Sequence, residues 1–187
     1  EMGKAEFYES QYVNVVAAAQ VGTKVCGSLD TAFDEAQNGE TVKMLGNVTL
    51  DTKGAMDICD RYPTFVCVEG KAITLDLNGK NITANAYAED LTGTMLLGVF
   101  STDNGGKLTL VDSEGTATVT LNANDAKVYS LLCNYEGGCQ IKVEGGTYVV
   151  DKVSDSMLYS GADASENEGV IVNGGNFTLG NVGEGAN

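Results

Sequence analysis

The residues that could do chemistry are few. Histidine is absent, Arg61 is the single arginine, and the other basic residues are lysines scattered along the chain. A serine or cysteine nucleophile therefore lacks its usual imidazole base. Cleavage of an acidic polysaccharide would run differently. A lyase takes a proton next to a carboxylate with a basic residue while Ca²⁺ or arginine neutralises the charge, and a hydrolase uses paired carboxylates. Arg61, beside Tyr62 and Pro63 in CDRYPTFVC, is the residue to weigh for the first, and Asp76, or Asp112 with Glu114, for the second. Asp76 stands between Leu75 and Leu77, so strand alternation turns it outward to solvent. A solvated charge is the plainer reading of all three acids, and no catalytic residue is assigned.

Five cysteines make an odd count, with Cys59 near Cys67 and Cys133 near Cys139. Either pair can close as a disulfide across a turn in an oxidising compartment. Both can equally be small buried thiols, and Cys26 has no near partner. Zinc is not expected, since there is no CxxC pair and no histidine. Calcium takes about six to eight hard oxygens. Asp57 with Asp60, or Asp163, Glu166 and Glu168, could supply some, although their spacing fits no EF-hand or nonapeptide pattern. No cofactor is expected. The sequons at Asn47, Asn81 and Asn176 are glycan acceptors in a eukaryotic secreted protein, but Asn followed by Thr is also what a turn running into a strand produces. Tyr8, Tyr12, Tyr62, Tyr87 and Tyr135 are candidates for a glycan or protein contact surface if they cluster.

The elements that must position these residues follow from a repeat. Residues 138–150 (GCQIKVEGGTYVV) recur as residues 168–179 (EGVIVNGGNFTL), with Gly145-Gly146 offset from Gly174-Gly175 by 29 residues. Each unit is a short apolar strand, a polar residue, a Gly-Gly corner, then an aromatic and an aliphatic. Residues 73–83 (ITLDLNGKNIT) follow the same plan with Gly79 at the corner, and residues 106–121 are a longer variant. One unit is too small to bury its apolar face, so neighbours must stack on it, as in a solenoid. The expectation is an all-β, right-handed parallel β-helix of about five coils. Tyr148 and Phe177, at equivalent places in adjacent repeats, should stack inside it.

Residues 28–38 read as a helix, with Ser28 as N-cap, Leu29, Ala32, Phe33 and Ala36 on one face, and Asn38-Gly39 as the stop. A solenoid needs an atypical terminal unit over its open end, and this helix is the candidate cap. The organisation expected is a strand or cap segment over 1–27, the β-helix over 28–180, and a Gly-rich tail over 181–187. Residues 51–63, 85–93 and 154–169 lack a period and read as insertions. Residues 95–100 read as a strand buried without alternation.

The net charge of −15 over 187 residues repels phosphate backbones and anionic membranes, so neither nucleic acid nor membrane insertion is expected. The longest apolar candidate, residues 12–21, is too short to span a bilayer. With no leader-like start, the chain reads as a mature or excised piece of a longer protein.

Taken together, SLDTAFDEAQNGETVKMLGNVTL (residues 28–50), ITLDLNGKNIT, GGKLTLVDSEGTATVT and VNGGNFTL resemble the pectin-lyase-like right-handed β-helix modules of large surface proteins of Gram-positive, often gut-dwelling, bacteria. The resemblance implies an extracellular module of a modular cell-surface protein, a scaffold or adhesive unit without a catalytic motif. Its partners would be a host or bacterial surface glycan or protein, met through the insertions, or another copy of itself. The other readings are a carbohydrate-binding or polysaccharide-cleaving domain and a self-assembling surface or filament subunit.

Overall fold

The computed structural model describes residues 17–54, 56–161 and 168–182. The chain runs β1 (Ala19–Val21), β2 (Lys24–Cys26), α1 (Leu29–Glu35), β3 (Thr41–Met44), β4 (Val48–Asp51), β5 (Asp57–Cys59), β6 (Tyr62–Thr64), β7 (Val66–Glu69), β8 (Ala72–Asp76) and β9 (Ile82–Asn85). After a 3-10 turn at Ala88–Asp90 come β10 (Phe100–Asp103), β11 (Lys107–Val111), β12 (Thr118–Asn122), β13 (Leu132–Asn134) and β14 (Gln140–Val143). The chain ends with β15 (Thr147–Val153), β16 (Leu158–Ser160), β17 (Gly169–Val172) and β18 (Asn176–Val182). Three parallel faces result: β3-β8-β11-β14-β17, β4-β9-β12-β15-β18 and β7-β10-β13-β16. This is a β-solenoid of about four turns.

Period-two alternation sets what each coil lends to the interior. On the first face, Val42, Leu75, Leu110, Val143 and Val172 lie in one column, each paired with the next. On the second, Val48, Ile82, Val119, Tyr148 and Phe177 do the same. Tyr148 and Phe177 stack at 4.9 Å with planes 11° apart, as their repeat positions imply. The Tyr148 hydroxyl donates to the Gly145 carbonyl at 3.0 Å, so the buried ring keeps its polar atom satisfied. At the glycine corners the second residue takes the left-handed conformation, φ +92° at Gly146 and +100° at Gly175. Gly174 is needed for closeness instead, since a Cβ there would sit 2.4 Å from the Glu144 carbonyl oxygen.

The helix forms where capping and apolar spacing place it, with the Ser28 hydroxyl accepting the Thr31 amide at 3.1 Å. It ends at Glu35, short of Asn38, because Ala36 is already extended. Leu29, Ala32 and Phe33 are buried against the solenoid, and β1 pairs antiparallel with both β2 and β3, so helix and hairpin together form the cap. Residues 1–16 and 183–187, including Tyr8, Tyr12 and most of the Gly-rich tail, lie outside the described residues.

Three local expectations are corrected. Residues 51–63 are not a plain loop: β5 and β6 form an antiparallel hairpin whose two-residue turn has Asp60 at φ +57°, a conformation Asp tolerates. Residues 96–99 are buried but form a corner with one isolated bridge, Leu96 to Val128, not a strand. Asp76 is buried, because as the last residue of β8 it lies where the chain bends and alternation stops. Its Oδ1 accepts the Asn78 amide at 2.9 Å and, from the next coil, the Ser113 amide at 3.1 Å. Asp112 likewise accepts the Gly79 and Ala117 amides at 2.8 and 2.7 Å. These carboxylates stitch coils at the corner, where turning backbone has no strand partner, whereas Glu114 is exposed as expected. Asn47 and Asn81 do the same with amide oxygens, accepting the amides of Asn81 and Thr118, both at 2.9 Å.

Candidate functional site

The side chains pointing out of the third face form a column: Cys67, Ser101, Cys133 and Tyr159, one per coil, in register. Outward positions of a solenoid normally meet water, yet Ser101 and Cys133 are fully buried. The β5–β6 hairpin covers them. Its backbone binds the next coil through Leu97 N–H to the Pro63 carbonyl (2.8 Å) and Phe65 N–H to the Gly98 carbonyl (3.2 Å). Thr64 Oγ1 donates to the Gly98 carbonyl at 3.0 Å and meets Ser101 Oγ at 2.9 Å. At the turn, Asp103 Oδ2 accepts the Asp60 amide at 3.0 Å, and Asp57 Oδ2 accepts the Cys67 amide at 2.8 Å.

Under and beside the hairpin lies a second apolar cluster, separate from the solenoid interior. Cys59, Leu97 and Cys133 are its buried members, and Tyr62, Cys67, Tyr129, Tyr135 and Tyr159 pack against it half-buried. The tyrosines form two edge-to-face pairs, Tyr62 with Tyr135 at 6.0 Å and Tyr129 with Tyr159 at 4.7 Å. Burial and the hydrogen bond to Tyr159 push the Tyr129 hydroxyl well above its ordinary range, so it stays protonated. Arg61 projects from the hairpin turn with its side chain 77% exposed and its Nε 3.1 Å from Asp60 Oδ2. Glu136, next to Tyr135, is hydrogen-bonded to Asp103, and this like-charge contact raises the Glu136 carboxyl above the usual range. One patch thus offers half-exposed aromatic rings, a guanidinium and a carboxyl pair.

The structure brings together Arg61, Tyr62 and Tyr135 from the residues singled out in the sequence. Tyr87 lies elsewhere, with the Lys53 ammonium 5.0 Å from its ring centroid. Tyr129 and Tyr159 escaped sequence reading: Tyr129 lies outside the strands, beside the isolated bridge at Val128, and Tyr159 is the middle residue of the short strand β16, which has no fully buried residue to mark its alternation. All five cysteines are free thiols. Cys67 packs half-buried against the cluster that holds Cys59 and Cys133, and the Cys133 thiol is pushed up to about 12, chiefly by burial. Cys139 faces the Gly105 and Gly106 amides, and Cys26 is buried in the cap.

Among the described residues, no three acids or cysteines are placed to hold a metal ion. Of the calcium candidates, Asp57 and Asp60 turn to separate partners, the Cys67 amide and Arg61, while Asp163 and Glu166 lie outside the described residues. No described helix is long and apolar enough to cross a membrane. Comparison with family models, curated proteins and solved structures gives no match.

Proposed function

We propose that this chain is an extracellular, non-enzymatic recognition and scaffold module of a bacterial cell-surface protein, and that its binding face is the tyrosine patch built by the β5–β6 insertion. One observation carries this reading: a hairpin inserted between two coils is docked so that Tyr62 and Arg61 join Tyr129, Tyr135 and Tyr159 on one side of a stiff rod. Half-exposed aromatic rings give a ligand large contact area at low entropic cost, and arginine and carboxyl groups add directional hydrogen bonds. The sequence resemblance to surface β-helix modules supports the same location. With a net charge of −15, neutral glycans are favoured over acidic ones.

A glycan array of neutral and acidic oligosaccharides tests the proposal. Neutral ligands should be retained, and Tyr62→Ala or Tyr135→Ala should weaken them at least about tenfold, roughly 1.4 kcal/mol. Equal binding by wild type and both variants would overturn it. The Asp103–Glu136 carboxyl pair beside Arg61 favours a second reading, polysaccharide cleavage. Release of reducing ends or unsaturated sugars, abolished in Arg61→Ala, would establish that reading instead.

A further inference from the structure

The geometry points to Cys59 and Cys67 as an oxidisable pair that closes into a disulfide by exchange with a small cationic disulfide entering from the helix side of the hairpin. The inference is independent of what the tyrosine patch binds. Three placements carry it.

Cys67 packs against the cluster that holds the buried Cys59, with β5 lying against β7. Asp57 Oδ2 on the Cys67 amide and the β5–β6 pairing of Cys59 with Tyr62 hold both backbones in place. Their exposure differs in a way that assigns roles. Cys59 is fully buried, but Cys67 is half-buried and opens into a cleft of about 270 Å³ between α1 and the hairpin. Cys67 is therefore the thiol that meets an incoming reagent, and Cys59 the one that resolves. The cleft wall also selects the reagent. Asp34, Asp57 and Glu69 line it against a single lysine, Lys71, whose ammonium is held at 2.8 and 3.0 Å by the Phe33 and Ala36 carbonyls near the end of α1. Such a rim concentrates cations and repels anions.

The exchange balances without a further reagent. The Cys67 thiol, 3.8 Å from Glu69 Oε1, passes its proton towards that carboxylate. Its thiolate attacks one sulfur of the disulfide RSSR, giving Cys67–S–S–R and expelling RS⁻, which takes up the proton. Cys59 then loses its proton and attacks Cys67 Sγ. The Cys59–Cys67 bond forms and the second RS⁻ leaves as RSH. Two protein thiols are oxidised and one disulfide is reduced to two thiols. Because the contact with Cys59 and burial both raise the Cys67 thiol, exchange should be slow at neutral pH and accelerate as pH rises. Cys133 is fully buried and does not line the cleft, so it is not the entry thiol.

The test uses the folded wild-type chain, treated separately with cystamine and with oxidised glutathione under native conditions, then alkylated and mapped by non-reducing peptide mass spectrometry. Cystamine should produce one crosslink, Cys59 to Cys67, leaving three of the five thiols to alkylate. It should react at least about tenfold faster than oxidised glutathione at low salt, with the gap closing as salt screens the rim. Cys59→Ser should stop at the Cys67 mixed disulfide, and Cys67→Ser should take up no cysteamine. A crosslink involving Cys133 or Cys139, or oxidation seen solely in denaturant, would overturn the proposal. So would oxidised glutathione reacting as fast as cystamine. The wild-type map decides even if a variant fails to fold.

Discussion

Val143 and Val172 are ladder neighbours on the first face, the same residue type in the same inward column, yet Val143 is fully buried and Val172 is 44% exposed. Replacing each by alanine measures what stacking a further coil contributes. The substitution removes two methylene equivalents, about 1.6 kcal/mol of transfer free energy at roughly 0.8 kcal/mol each. At Val143, coils on both sides prevent collapse into the void, and a cavity penalty brings the loss to about 2–3 kcal/mol. At Val172 nearly half the side chain already meets water and no closed cavity forms, so the loss should stay below about 1 kcal/mol. Urea unfolding followed by far-UV circular dichroism reads both. In thermal melts, Val143→Ala should lower the midpoint by about 5–10 °C, given the enthalpy of a chain this size. Equal losses at the two positions would refute the reasoning, since a side-by-side sandwich would give the paired valines similar environments.

Two further outcomes follow from single side chains. Asp112→Ala should cost about 2–3 kcal/mol and speed amide exchange at Gly79 and Ala117, because a carboxylate bonded to both amides is lost. Glu114→Ala, two residues on and exposed, should stay within about 0.5 kcal/mol; similar costs for the two would disprove the stitching role. Asp57 gives a pH signature. Burial raises its carboxyl above the ordinary 3.8 in the folded state. The folded chain then holds this proton longer than the unfolded chain, so its contribution is greatest below 3.8 and is lost as pH rises through the raised value. Asp57→Asn should remove that fall, so the stability difference, wild type minus variant, should decline with rising pH and then level off. Urea midpoints across the acid range check this, and a difference that grows with pH would contradict it.

The solenoid was legible because its determinants are local and repeated. Strand alternation, the Gly-Gly corners and the 29-residue offset each constrain a single coil, and stacking follows from the apolar face one coil cannot bury alone. The capping helix was legible too, since Ser28 and the spacing of Leu29, Ala32 and Phe33 are short-range signals. Four turns are complete and β17 and β18 add two sides of a further layer, so the first two faces carry five stacked strands and the third carries four. Asp76 misled for a different reason. Alternation holds along a strand but fails at its last residue, where the chain bends and a carboxylate can satisfy corner amides.

The tyrosine patch was half legible. Arg61, Tyr62 and Tyr135 stood out by type, but nothing local ties residue 62 to residue 135, which are brought to 6.0 Å by stacked coils and a folded-back hairpin. The cysteines show the same division. Cys59 and Cys67 are close in sequence and meet in space, but the placement of Cys133 against Cys59 depends on which coil lies beneath the hairpin.

By itself, then, the amino-acid order determined the winding, the cap and the inward columns, because each depends on residues within one coil of one another. Tertiary structure alone decided which outward side chains share a surface. That choice rests on the docking of β5–β6 through Thr64, Asp60 and Pro63 onto neighbouring coils, contacts spanning more than thirty residues that no short-range pattern encodes.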